Sequence, residues 1–150
     1  MHHISSDTEY QAFIAEIKQR YRNAQLKAVS TVNEQMIEFY WDLGKRILAK
    51  QKAAKWGSKF LAQISMDIQR DFPGTKGFSV SNLERMRKFA RLYPESISAQ
   101  AVRKIPWGHI VVLIEQVKDP AARVWYVNNI LRNGIARSVL SIQIEQEEYR

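Results

Sequence analysis

The chain has 150 residues, 45% of them hydrophobic, with four tryptophans and no cysteine. That composition suits one globular domain with a real core, and it excludes disulfides and thiolate metal sites. The net charge of +8 is uneven: between Lys45 and Lys104 fourteen Lys and Arg face four acids, which leaves the rest of the chain slightly acidic. A concentrated basic middle signals a nucleic-acid partner better than a high isoelectric point alone. No apolar run approaches the length of a membrane span, and the first residues carry no signal-peptide pattern. A cytoplasmic protein with no membrane partner is the expectation.

A helical pattern over 7–53 comes first. Ser6-Asp-Thr-Glu9 reads as a capping box. Tyr10, Ile14, Ile17, Tyr21, Ala24, Ala28, Val32, Met36, Tyr40, Leu43 and Ile47 then recur at steps of three and four. The pattern fits one long helix or two helices broken near Ser30-Thr31, with Thr31-Val-Asn-Glu34 capping the second. So long a stripe resembles a coiled-coil seam and leaves a homodimer through the N-terminal helices open beside an ordinary core-facing helix pair. Gly44 inside it suggests close packing.

Residues 58–93 form the next unit. Ser58 is the expected N-cap of a helix reaching Asp71, with Leu61, Ile64, Ile68 and Phe72 on one side. Phe72-Pro-Gly-Thr-Lys-Gly77 is the clearest turn in the chain. A helix follows to Tyr93, with Ser81 and Glu84 placed for a capping box and Pro94 closing it. On a helical wheel Leu83, Met86, Phe89, Ala90 and Tyr93 share a dry side. Lys88 and Arg91 point away, flanked by Arg85 and Arg87. Helix, turn, basic helix is the order of a helix-turn-helix unit, and the long link favours a loose or winged variant. The expected nucleic-acid contacts are Arg85, Arg87, Lys88 and Arg91, with Lys76 and Asn82 at the helix entry and Lys55 and Lys59 behind them. Ser79 and Ser81 are candidate phosphate donors, Ser81 also being the expected cap.

Residues 105–149 complete the chain. Ile105-Pro-Trp-Gly108 is a stop, and His109 to Val117 reads as a buried helix, with a buried strand as the competing reading. Asp119-Pro120 opens a helix that ends at Asn133-Gly134. A last helix over 138–148 has Val139, Ile142 and Ile144 as inward candidates.

No enzyme site emerges. There is no Gly-rich phosphate loop or nucleophile elbow. Three histidines without cysteine give no metal spacing, and His109 reads as a core or helix-start histidine. Glu16-Ile17-Lys18 has the short half of a metal-dependent nuclease motif, but it falls on a helix, where such pairs are common. No cofactor or metal is expected. Trp41, Trp56, Trp107 and Trp125 read as core residues rather than base-stacking platforms.

Lys55-Trp-Gly-Ser58, Phe72-Pro-Gly-Thr-Lys-Gly-Phe-Ser-Val-Ser-Asn-Leu-Glu-Arg-Met-Arg-Lys-Phe89, Tyr40-Trp-Asp-Leu-Gly44, Ile105-Pro-Trp-Gly-His109 and Asn133-Gly134 together resemble the N-terminal helical domain of the YhcG-like proteins. The resemblance runs from about residue 10 to residue 149. These bacterial proteins are classed with the PD-(D/E)XK nucleases, and the domain was long one of unknown function. The resemblance implies a C-terminal nuclease domain as partner in the same protein, whose catalytic acids and lysine have no counterparts in these residues. Ile135-Ala136 stand where the family usually has Trp-Ser, which removes a cap from the last helix. The expectation is therefore an all-α, non-catalytic module that binds DNA, mainly at phosphates, and targets or dimerises a nuclease. The alternative is a protein-interaction domain without nucleic-acid contact.

Overall fold

The computed structural model describes residues 4, 7–54, 59–147 and 149, with side chains except at 23–32, 53 and 54. The described residues contain helices and no strand. The fold is all-α, and the wing allowed for beside the helix-turn-helix order is absent among them.

The first element, α1, spans Thr8–Ala54. Asp7 caps it: its Oδ1 accepts from the N–H groups of Glu9 (2.7 Å) and Tyr10 (3.3 Å). Ser6, the expected cap, lies outside the described residues. A straight helix would hold Glu16 and Arg46 about 45 Å apart, yet their side chains pair at 2.8 Å. Arg20 meets Asp42 at 3.0 Å, Lys50 meets Glu9 at 3.4 Å, and the Tyr21 and Phe39 rings lie 5.8 Å apart. α1 therefore doubles back between Tyr21 and Phe39 into an outgoing and a return limb. Tyr10, Ile14, Ile17 and Tyr21 from one limb and Tyr40, Leu43 and Ile47 from the other are all buried. The stripe that resembled a dimer seam thus closes on its own chain wherever its side chains are described; Ala24, Ala28 and Val32 lie outside that description.

Helix α2 spans Phe60–Asp71, preceded by Lys59 without a side-chain cap bond; Ser58 is outside the described residues. Its buried Asp67 accepts from Tyr10 Oη (3.0 Å), Gln63 (3.2 Å) and Arg70 (3.0 Å), which fastens α2 to the start of α1. Burial, then Asp67, pushes the Tyr10 phenol far above its ordinary range. Lys18 bridges to Asp71 at 2.9 Å, and that hydrogen bond holds the Asp71 carboxyl below its usual range.

Helix α3 spans Val80–Leu92. The turn before it needs glycine at position 77, where φ is +107° and an added Cβ would sit 2.8 Å from Tyr40 Oη. Ser79, not Ser81, is the N-cap: its Oγ accepts the Asn82 N–H at 3.1 Å. The helix starts before Ser81 because Ser79 already has the extended backbone a cap requires. α3 is central to the fold, contacting α1, α2 and the next helix, and Leu83, Met86, Phe89 and Ala90 are buried. At its crossing with α1, a Cβ on Gly44 would collide with the Met86 carbonyl and lie 3.0 Å from Ala90 Cβ.

A 3-10 turn, Ala101–Lys104, leads to α4 (Trp107–Gln116), α5 (Pro120–Asn133) and α6 (Arg137–Glu145). The Asp119 cap and the Gly134 stop of α5 form as expected. α6 has no side-chain cap at Ala136. Of the expected inward residues Ile144 packs on the core, joined by the buried Leu140, while Val139 and Ile142 are 44% and 50% exposed. Both pairs are helical edges, and α6 lays the Leu140–Ile144 edge on its neighbours.

Candidate nucleic-acid interface

The basic middle of the chain separates into two groups once folded. Arg46, Lys50, Arg70, Arg85 and Arg103 each pair with a carboxylate. Lys45, Lys52, Lys59, Lys76, Arg87, Lys88, Arg91 and Lys104 have no carboxylate partner among the described residues; of these Lys45, Lys52 and Arg91 gather where the return limb of α1 passes α3, and Arg87 reaches α1 beside them.

Local geometry explains the gathering. Lys45, Leu48, Ala49 and Lys52 are spaced to share one face of α1. Ala90 and Arg91 on α3, with Pro94 beyond it, form the opposing wall of a groove of about 310 Å³. The floor is aliphatic, the three cations Lys45, Lys52 and Arg91 rim it, and no acid lines it. Lys45 Nζ donates one hydrogen bond to the Pro94 carbonyl (3.0 Å) and lies over the Trp41 ring, keeping two of its donors. Arg87 donates to Gln51 Oε1 at 2.9 Å, which sets its guanidinium beside α1 next to the groove. A rim of this kind can hold phosphate oxygens, and it has no group placed to read base edges.

The expected contact residues fare unequally. Arg91 lines the groove, Arg87 flanks it, and Lys88 is half-exposed on the same outer side of α3. Arg85 turns away to Glu115 on α4 at 2.8 Å, so the four-fold basic face is divided between two neighbours of α3. Asn82 leaves the candidate face altogether. It is 8% exposed, its amide nitrogen donates to the Gly77 carbonyl (2.6 Å), and its oxygen accepts from Trp107 Nε1 (2.8 Å). Its side chain is committed to joining turn, α3 and α4. Lys76 and Lys59 are exposed but do not line the groove, and Lys55 lies outside the described residues. Ser79 is used as the cap, which leaves Ser81 as the exposed hydroxyl.

Lys45 and Lys52 were counted in the basic middle and not placed in a site. The signal in the sequence is their seven-residue separation on a helix, two turns apart on one face, beside the apolar stripe of α1.

The other singled-out residues take structural places. Trp41 Nε1 donates to the Tyr93 carbonyl at 2.7 Å, and Trp107 holds Asn82. Trp125 is 36% exposed, edge-on to Tyr126 and Tyr149, and Trp56 is outside the described residues. His109 Nε2 donates to the Ile135 carbonyl at 2.7 Å, tying α4 to the turn before α6. Glu16 and Lys18 are engaged with Arg46 and Asp71. No group of His, Asp or Glu among the described residues could hold a metal, and no described helix is long and apolar enough to cross a membrane.

The profile of the family described as the DUF1016 N-terminal domain matches residues 16–150. No curated protein and no solved structure matches the chain.

Proposed function

The chain belongs to the DUF1016 N-terminal domain family, and from that premise we propose that it is a non-catalytic module that binds DNA at backbone phosphates and serves a nuclease domain of the same protein. The supporting observation is the sorting of charge. Arg46, Lys50, Arg70 and Arg85 are matched by carboxylates, whereas Lys45, Lys52 and Arg91 are unmatched among the described residues and line one groove, with Lys88 half-exposed one turn from Arg91. Unmatched cations repel one another, and a bound polyanion relieves that repulsion while releasing counterions.

The test is anisotropy of labelled DNA titrated with the wild type and with a Lys52→Ala/Lys88→Ala/Arg91→Ala variant over a range of salt. Each lost phosphate contact lowers the log–log salt slope by about 0.9. The triple variant should bind at least tenfold more weakly at low salt, with a slope shallower by roughly 2–3. Arg85→Ala, which removes a charge already matched by Glu115, is the control and should change affinity less than about twofold. A loss in log affinity from Arg85→Ala about one third that of the triple variant, in proportion to the charges removed, would show that net charge, and not this seam, governs binding.

A protein-interaction reading has its own support on the far side of the sequence. Val124 and Leu131 on α5 and Val139 and Ile142 on α6 are 43–60% exposed, apolar side chains that a partner could cover. Self-association through that surface, rather than through the inward stripe of α1, is what sedimentation of the isolated chain would examine. A monomer at all concentrations removes it.

A further inference from the structure

We infer that the α1–α3 groove takes an unpaired DNA strand in preference to a duplex, an inference that rests on the phosphate-binding reading above and names its substrate class. Two observations carry it. The first is the chemistry of the groove. Lys45 and Lys52 stand about 10 Å apart along α1, Arg91 faces them, and the open surface between is Leu48, Ala49 and Pro94, with the buried Ala90 beneath. A duplex turns only phosphates and sugars outward, so it meets the rim and leaves the aliphatic floor wet. An unpaired strand offers both phosphate and an apolar base face within one nucleotide, and burying that face on the floor adds a term the duplex lacks.

The second observation is the position of α3. A helix that enters a major groove must project from the fold. α3 instead lies between α1, α2 and α4 with Asn82, Leu83, Met86, Phe89 and Ala90 buried. Arg85 and Arg87 are drawn to opposite neighbours. Its C-terminal end, at Ala90 and Arg91, forms the wall of the groove rather than a ridge. The preference comes from the apolar floor and not from the cations, which attract either form.

The experiment compares a single-stranded oligonucleotide, the duplex of the same sequence and an abasic single strand of equal length, against the wild type and Ala49→Gln. Ala49 is exposed on α1, so glutamine keeps the helix and the charge while placing an amide on the floor. The expected result is single-strand binding at least fivefold tighter than duplex at equal nucleotide concentration, loss of that advantage with the abasic strand, and loss of it in Ala49→Gln, where single-strand affinity falls more than duplex affinity. Equal affinity for single strand and duplex, or equal weakening of both by Ala49→Gln, overturns the inference while the phosphate-binding reading stands. Failure of the wild type to bind any of the three at low salt overturns that reading, and this inference with it.

Discussion

Replacing Asn82 by alanine separates a contact residue from a structural one. The side chain makes two hydrogen bonds in opposite directions, to the Gly77 carbonyl at 2.6 Å and from Trp107 Nε1 at 2.8 Å, and it is 8% exposed. Alanine leaves a carbonyl and an indole N–H without their partner. A buried group left unsatisfied costs about 1–3 kcal/mol. Gly77 and Trp107 are only half-buried, so water recovers part of each bond and about 2–4 kcal/mol in total is expected. For a domain of this size that lowers Tm by roughly 5–15 °C, read by circular dichroism on heating. Asn82→Asp keeps the acceptor for Trp107 but sets a carboxylate against the Gly77 carbonyl. It should also be destabilised at neutral pH and regain stability in acid, where the protonated carboxyl can donate. DNA affinity of the folded Asn82→Ala protein should stay within about twofold of wild type. An unchanged Tm with a large loss of affinity would refute the argument and return Asn82 to the binding face.

Gly44→Ala should destabilise the protein, although glycine to alanine inside a helix ordinarily gains about 1 kcal/mol. The new Cβ meets the backbone of α3 at Met86, which cannot step aside as a side chain would, and overpacking of about 1–3 kcal/mol should outweigh the gain. A Tm at or above the wild-type value would count against the crossing. The alkaline limb of stability supplies another check. Burial raises the phenol pKa values of Tyr10, Tyr40 and Tyr93 above the ordinary value of about 10. Above that pH the unfolded chain loses these protons first, so stability should fall as pH rises past 10. Absorbance titration of the six tyrosines should show Tyr10, Tyr40 and Tyr93 ionising only together with unfolding. A single unperturbed step for all of them would contradict the packing.

Much of the fold was legible because its signals are local. Helix periodicity, the Asp119 and Gly134 ends of α5 and the turn at Phe72–Gly77 depend on neighbours within a few residues. The errors fall where two local solutions compete. Ser79 and Ser81 are both acceptable caps, and the extended backbone of the preceding turn selected Ser79. Val139–Ile142 and Leu140–Ile144 are both apolar edges, and packing selected the second, which keeps the expected Ile144 inward and turns Val139 and Ile142 outward.

By itself the sequence determined that the chain is helical, that its positive charge is concentrated in its middle, and which family it belongs to. Only the tertiary structure decided that α1 closes its stripe on itself, and which cations keep their charge unmatched. That decision depends on residues 30 to 40 positions apart, such as Arg46 with Glu16 and Arg87 with Gln51. A helical wheel counts charges on one helix and cannot see the carboxylates that a second helix brings. It therefore ranked Arg85 with Arg91, when Arg85 is neutralised by Glu115 and Arg91 joins Lys45 and Lys52 across a groove that neither helix has alone.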